Sequence, residues 1–225
     1  MDETRTPEGT ASEPIDQDTA DREKRLAERA AKAALAAADP EDLVEPEDAL
    51  PEVKLEQLPE VLQQAAARAG WPALMPVQAR ALPYMLAKRD LMIQSRTGSG
   101  KTGAFLLPII ERMDLSDKRC QALVLVPTRE LARQVMSEAE MLAGDSDFKA
   151  VAVYGGVGYG PQIEAFEAGV PLVVGTPGRV LDHLLKRTLT LDGLQMLVLD
   201  EADRMLSMGF YPDMVQLKQY LPERY

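Results

Sequence analysis

From Leu55 onward, short apolar runs alternate with longer stretches in which apolar residues recur at helical spacing. An apolar run of four to six residues is typical of a buried strand, and strands separated by helices indicate βαβ units. We therefore predict an α/β fold with a mostly parallel sheet flanked by helices. The predicted strands are 91–94, 122–127, 150–154, 171–176 and 196–200, and the predicted helices are 59–70, 76–88, 102–113, 128–143, 161–168 and 178–186.

Residues 1–53 have a different composition, with 16 Asp and Glu, six Lys and Arg, and no aromatic residue. Such a segment buries too little apolar surface to offset the entropy of ordering. We predict an acidic, Ala- and Pro-rich arm that is disordered or partly helical, with its best helix-forming stretch at 20–39. The arm is either a solvated tail or a contact site for other proteins. The globular domain is predicted to span 54–225.

Composition narrows the class of protein. No apolar run approaches the roughly 18 residues of a membrane span, and no signal peptide is visible, so no membrane partner is expected. Cys120 is the single cysteine, which excludes an internal disulfide and favours a cytoplasmic protein. The net charge is −11, but the arm carries nearly all of it, so the near-neutral domain can still present a basic patch to a polyanion.

The stretch SRTGSGKT at 95–102 follows a predicted strand and opens a predicted helix, which is the context of a phosphate-binding P-loop. Its backbone N–H groups and the helix N-terminus would face phosphate oxygens. Lys101 would reach the β- and γ-phosphates of ATP, and the Thr102 hydroxyl would ligate Mg²⁺. The expected nucleotide-binding residues of the loop are Ser95, Arg96, Thr97, Gly98, Ser99, Gly100, Lys101 and Thr102.

Two adjacent acids end the last predicted strand, in the stretch MLVLDEAD. An Asp after an apolar strand is the expected second half of a P-loop nucleotide site. Asp200 is predicted to hold Mg²⁺, largely through water, and Glu201 to accept a proton from the attacking water. The predicted catalytic residues are thus Lys101, Asp200 and Glu201.

These residues, with DEAD spelled at 200–203, resemble the DEAD-box ATP-dependent RNA helicases of bacterial type. The similarity covers 55–225 and implies the family's first RecA-like P-loop domain. PTRELA, YGG and TPGR look like the family motifs that line the RNA path, which implies sequence-independent contacts with the RNA backbone. The implied RNA-binding residues are Pro127, Thr128, Arg129, Gly155, Gly156, Thr176, Pro177, Gly178 and Arg179, with Arg179 expected to bind a phosphate in a forked geometry.

The stretch GWPALMPVQ looks like the family's Q motif, so the resemblance implies that Gln78 reads the adenine edge of ATP. The family also places an aromatic residue upstream that stacks on adenine. This chain has Leu55 nearest to that place, so we expect weaker adenine binding, by roughly 1 kcal/mol. His183 is predicted to be an ordinary helix-face residue, and 205–210 to belong to the core.

By resemblance, the first domain continues into a strand carrying motif III, which Asp203 contacts, and a second RecA-like domain follows. Neither lies within the 225 residues, so the domain is expected to be incomplete at its C-terminus, with a gap in the sheet that a swap or dimer fills. The chain alone is then expected to bind MgATP, and RNA only weakly, without unwinding. The alternatives are a DNA-directed P-loop translocase and a non-catalytic nucleotide- or partner-binding fragment.

Overall fold

A computed structural model describes residues 48–144 and 147–223, and the predictions for the arm before residue 48 lie outside this part of the chain. The described residues contain a four-stranded sheet in the order β2-β3-β1-β4, with every neighbouring pair parallel. This confirms the predicted α/β fold with a parallel sheet. The strands are β1 (Ala122–Leu125), β2 (Ala150–Val153), β3 (Leu172–Gly175) and β4 (Met196–Leu199).

Eight α-helices connect and flank these strands within the described residues. Their positions agree with the predicted helical stretches, and two short helices follow β4. The helices are α1 (Glu60–Arg68), α2 (Pro76–Leu86), α3 (Lys101–Arg112), α4 (Arg129–Ala143), α5 (Gly160–Ala168), α6 (Pro177–Leu185), α7 (Ala202–Ser207) and α8 (Tyr211–Leu217), and 3-10 turns lie at Leu55–Gln57 and Lys218–Tyr220.

Both faces of the sheet are covered, which explains why the strands are continuous apolar runs rather than alternating ones. Successive residues of a strand point to opposite faces. Val124 packs into a cluster with Leu82 of α2 and Leu106 of α3. Its neighbour Leu123 packs on the other face, in a cluster with Leu184 of α6. Each strand therefore contributes to two cores.

The strand predicted at 91–94 is absent from the described sheet. This segment leads into the P-loop but forms no strand with any described residue. Met92 is 99% exposed and Leu91 is also exposed. Among the described residues, β4 pairs only with β1 and so is an edge strand, and Leu199 at its end is exposed. A strand is defined by a hydrogen-bonded neighbour, which the apolar pattern of 91–94 cannot supply by itself.

The segment 48–53, which the sequence places in the acidic arm, lies along α2. The backbone N–H of Val53 donates to the Ala79 carbonyl at 3.1 Å, and the N–H of Leu50 donates to the Tyr84 hydroxyl at 2.8 Å. Arg80 forms an ion pair with Glu52 at 2.8 Å. Throughout 48–144 and 147–223, no helix has the length and apolarity to cross a bilayer.

Cys120 lies just before β1 and is buried, as its apolar surroundings predict. Burial raises the pKa of its thiol to about 12, so the reactive thiolate is scarce at neutral pH. We expect the native chain to react with a disulfide reagent far more slowly than the chain unfolded in urea. Absorbance of the released thiol measures both rates. Equal rates would show that this end of β1 opens readily in the native state.

Candidate functional site

The P-loop turns sharply between the extended segment at 91–94 and α3. Gly98 and Gly100 adopt left-handed backbone conformations with φ of 77° and 91°, which glycine adopts without strain. Gly100 is the N-cap of α3, so the first N–H groups of that helix face the loop. Lys101 and Thr102 form the first turn of the helix, as predicted.

Lys101 folds back over the loop that precedes it. Its Nζ donates to the Ser95 carbonyl at 2.6 Å and to the Arg96 carbonyl at 2.8 Å. The Ser99 hydroxyl is buried and has no hydrogen-bond partner among the described residues. A buried hydroxyl without a partner carries a desolvation cost that an incoming acceptor relieves. The loop thus offers a cation, helix N–H groups and an unpaired hydroxyl donor, which together fit a phosphate chain.

Gln78 joins the start of α2 to the P-loop. Its side chain is 1% exposed. Its Oε1 accepts from the Met75 backbone N–H at 2.8 Å, and its Nε2 donates to the Gly100 carbonyl at 3.1 Å. A Cβ at Gly100 would lie 2.9 Å from Gln78 Nε2, and φ of 91° would strain any other residue, so this position favours glycine. The residue expected to read adenine therefore lies directly against the phosphate loop.

Trp71 packs over the first turn of α3, where a Cβ added at Gly103 would lie 2.4 Å from its ring. Leu55, in the place of the expected aromatic residue, is half-buried against the core cluster that contains α2 and α3. The only aromatic side chain before residue 78 is thus already in contact with the nucleotide-side helix.

We expect Leu55→Phe to tighten MgATP binding about fivefold, because stacking on adenine contributes roughly 1 kcal/mol. Isothermal titration of both chains measures the difference. Inorganic triphosphate, which has no base, should bind both chains equally. Val61→Phe places the same ring on an exposed part of α1 and is the matched control. Equal ATP affinities of Leu55→Phe and the wild type would rule out a stacking place at residue 55.

Asp200 continues the ladder of β4, since its N–H donates to the Leu125 carbonyl at 3.0 Å. Its Oδ1 accepts from the Glu201 N–H at 3.0 Å. Burial raises the pKa of Asp200; the bond from the Glu201 N–H lowers it, the Glu201 charge raises it and the Lys101 charge lowers it. Burial and the charge of Asp200 also raise the pKa of Glu138 on α4. The strand end and the P-loop lysine thus lie within electrostatic range of each other.

Glu201 occupies an unusual backbone position, with φ of 50° at the N-cap of α7. A left-handed conformation is uncommon for a residue other than glycine, and such strain clusters at functional sites. Its carboxylate forms an ion pair with Arg204 at 3.1 Å. Asp203 lies in the first turn of α7 and is exposed. The two acids of the pair thus face different surroundings, Asp200 in the sheet and Glu201 at a helix start.

Thr102 and Asp200 are the oxygen donors that the sequence assigns to Mg²⁺. In the described part of the chain, no cluster of three or more His, Cys, Asp or Glu side chains forms a metal cage. Mg²⁺ is commonly held by one or two protein oxygens together with water and substrate phosphates. One hydroxyl and one carboxylate at the phosphate loop fit that kind of site.

The predicted RNA-binding residues lie at the carboxyl ends of three neighbouring strands. After β1, Pro127 is buried, and the Thr128 hydroxyl caps α4 by accepting from the Leu131 N–H at 3.3 Å. Arg129 is exposed and pairs with Glu130 at 2.7 Å. The Thr128 oxygen thus already has a partner within its own helix.

The other two strand ends adjoin each other. Gly155 and Gly156 follow β2 and are exposed. Thr176 follows β3 and its N–H donates to the Val153 carbonyl at 2.9 Å, which ties the two ends together. Pro177 is buried at the start of α6, and a Cβ at Gly178 would lie 3.2 Å from the Asp213 carboxylate.

Arg179 differs from the expected free fork. Its side chain is only 9% exposed, and Nη1 donates to the Val157 carbonyl at 3.0 Å. Its guanidinium lies 4.2 Å from the centre of the Tyr159 ring. The side chain therefore holds the loop after β2 against α6, and its role toward a phosphate stays a prediction.

Residues 75–225 match the DEAD/DEAH box helicase family. The chain belongs to this family. As a DEAD/DEAH box protein it resembles the ATP-dependent RNA helicase CshA of Listeria monocytogenes, with 44% identity over 73% of this chain and 32% of that protein. It also resembles the ATP-dependent RNA helicase DeaD of Haemophilus influenzae, with 43% identity over 75% of this chain and 28% of that protein. The chain thus spans about a third of the length of these relatives.

A crystal structure of a DEAD box protein from the hyperthermophile Methanococcus jannaschii shares the fold, with a TM-score of 0.70 and 38% identity. The match covers 74% of this chain and 46% of that one. The resemblance to the first RecA-like domain of the DEAD-box helicases is thereby confirmed.

Sequence reasoning missed one polar cluster in this DEAD-box domain. His183, predicted to be an ordinary helix-face residue, lies on the inward face of α6, where it is 0% exposed and forms hydrogen bonds with Gln162 and Thr188. Gln162 and Tyr159 were not identified as functional residues. The signal in the sequence was the presence of polar or aromatic residues just after two predicted RNA-binding strand ends. Tyr159 and Gln162 follow β2, and His183 follows β3.

Proposed function

We propose that this chain is the ATP- and RNA-binding part of an ATP-dependent RNA helicase, in which RNA-stimulated ATP hydrolysis drives local unwinding of a duplex. The observation that carries the proposal is the P-loop at the start of α3, where Lys101 folds over the loop, Gln78 bonds to the Gly100 carbonyl and the buried Ser99 hydroxyl has no partner among the described residues. A P-loop can bind the phosphates of a nucleoside triphosphate, and an acid at a neighbouring strand end can hold the accompanying metal ion. Membership in the DEAD/DEAH box family supports ATP as that nucleotide.

On the nucleotide side, Lys101 exchanges its two loop carbonyls for phosphate oxygens, and Ser99 and the first N–H groups of α3 donate to the same chain. Gln78 turns its amide to the adenine edge while it remains beside Gly100. Thr102 and Asp200 would hold Mg²⁺, which would supply neutralisation of the charge on the phosphates. Glu201 orients the attacking water and accepts its proton, once its contact with Arg204 is released.

On the RNA side, the loops after β1, β2 and β3 supply hydroxyl, glycine N–H and arginine groups to the sugar-phosphate chain. Contacts of this kind read the backbone and not the bases, so binding is independent of sequence. Asp203, exposed at the start of α7, is the residue through which hydrolysis is coupled to a further part of the helicase, including a second RecA-like domain. The acidic segment before residue 54 serves contacts with other proteins.

The test is ATP hydrolysis by a protein that carries this chain, measured with single-stranded RNA, with single-stranded DNA and without nucleic acid. We expect RNA to stimulate hydrolysis and DNA to have a much smaller effect. Stronger stimulation by DNA would favour the translocase alternative. ATP binding without hydrolysis in the presence of RNA would favour the non-catalytic alternative, and titration of the 225-residue chain with MgATP measures that binding directly.

A further inference from the structure

Gln162 and His183 form a buried polar pair beside the RNA-side loops. They are two of the four buried polar residues of the described chain, with 4% and 0% exposure. Gln162 lies in α5 and His183 in α6, and neither helix contains a predicted nucleotide-binding residue. A buried polar group without a partner is costly, so each of their hydrogen bonds helps define the local structure.

The amide of Gln162 has one orientation that satisfies all its partners. Its Nε2 donates to the Tyr154 carbonyl at 3.3 Å and to the Gly158 carbonyl at 3.4 Å. These two carbonyls are the two ends of the glycine loop that follows β2. Its Oε1 then faces His183 Nε2 at 3.0 Å and must accept. Gln162 therefore bonds to both ends of the loop and, through His183, connects them to α6.

His183 completes the connection as a neutral imidazole. Its Nε2 carries the proton donated to Gln162, so its Nδ1 is the acceptor that faces the Thr188 hydroxyl at 2.7 Å, and the same hydroxyl lies 3.3 Å from the His183 carbonyl. Burial, Arg179 and Lys186 all lower the pKa of His183, which favours this neutral form. The rings of Tyr159 and Phe166 pack against it in T-shaped geometry, with centroids 5.2 and 5.0 Å away.

Tyr159 adds a second connection between the same two elements. Its hydroxyl donates to Asp182 at 2.9 Å, and the cations of Arg179 and Lys186 lie 4.2 and 3.5 Å from its ring centre. Arg179 in turn donates to the Val157 carbonyl at 3.0 Å. Three carbonyls of the loop, those of Tyr154, Val157 and Gly158, are thus held by side chains of α5 and α6.

We propose that Gln162 and His183 are positioning residues that lock the glycine loop after β2 to α6, so that two strand ends present one preformed surface to the RNA backbone. This inference rests on the proposed function, since it assumes that Gly155, Gly156 and Thr176 contact RNA. A preformed surface binds more tightly because less order has to be created on binding. Neither residue needs to touch RNA.

The chain offers a matched control for Gln162. Gln121 is also a buried glutamine; its Nε2 donates to the carbonyls of Asp114 and Asp117, and its Oε1 accepts from the Asp114 N–H. It precedes β1 and so lies at the amino end of that strand, whereas the RNA-side loops follow the carboxyl ends of the strands. Gln162→Met and Gln121→Met remove the same groups, and only the first is expected to affect RNA.

The experiment uses a protein that carries this chain, as in the test of hydrolysis, and a fluorescent oligouridylate. We expect Gln162→Met to weaken RNA binding about tenfold and Gln121→Met to change it less than about twofold, with MgATP affinity unaffected in both. His183→Leu should act like Gln162→Met, whereas His183→Gln should restore binding, because its amide can donate to Gln162. Hydrogen exchange of the amides at 155–158 should speed up in Gln162→Met and not in Gln121→Met.

Two results would overturn the positioning role: equal loss of RNA affinity in both methionine variants, or unchanged exchange at 155–158 in Gln162→Met. The exchange measurement needs no RNA and so decides the coupling by itself. If the wild type of a protein that carries this chain did not bind the oligouridylate, that result would instead contradict the proposed function.

Discussion

Glu201→Gln is expected to lower the rate of RNA-stimulated ATP hydrolysis by about 10²–10⁴-fold while MgATP still binds, because the amide cannot accept the proton of the attacking water. Glutamine keeps the size of glutamate and tolerates the same backbone. Phosphate release under saturating RNA measures the rate, and titration measures the binding.

Glu140→Gln makes the same chemical change on the exposed side of α4 and is the control for this prediction. Equal hydrolysis by Glu201→Gln and the wild type would remove the role of Glu201 as a base. A loss of MgATP binding in Glu201→Gln would show instead that the charge of the Glu201 carboxylate, which pairs with Arg204, helps to shape the nucleotide site.

Lys101→Ala is expected to weaken MgATP binding by about 10- to 100-fold, since a hydrogen bond to a charged group contributes roughly 1.5–3 kcal/mol. The same substitution removes the two bonds by which Lys101 holds the Ser95 and Arg96 carbonyls. Isothermal titration measures the affinity, and a thermal melt without nucleotide measures the loss of the loop contacts.

Lys149→Ala, on an exposed position before β2, controls for the loss of one positive charge and should bind MgATP like the wild type. If Lys101→Ala kept full affinity, the phosphate chain would have to lie elsewhere than in the loop at 95–102.

The sequence was sufficient for those features that depend on local patterns. The four strands from Ala122 to Leu199 are continuous apolar runs because both faces of the sheet are covered, and such runs are visible without a structure. Gly98 and Gly100 were recognisable because their spacing before Lys101 belongs to a known phosphate loop. Cys120 was correctly placed inside because an apolar run follows it.

Features that depend on distant partners were not predictable in the same way. The segment 91–94 has the pattern of a strand but no neighbour among the described residues. His183 has the spacing of a helix-face residue, and only the fold brings Gln162 of another helix to its ring. Arg179 has the charge expected of a phosphate ligand, yet its guanidinium lies over the Tyr159 ring and donates to the Val157 carbonyl. In each case the deciding contact joins residues that no short motif contains.

The exposed run at 91–94 has a consequence for how nucleotide and heat stability are linked. No strand braces the upstream side of the P-loop in the described chain, so its shape is set from the downstream side by α3, Gln78 and Lys101. A loop supported from one side loses conformational entropy when a ligand orders it. The net free energy of nucleotide binding is then smaller by the cost of ordering the P-loop. Because the nucleotide binds the folded loop and not the unfolded chain, the melting temperature climbs with nucleotide concentration, and the ligand becomes a structural component of the loop that binds it.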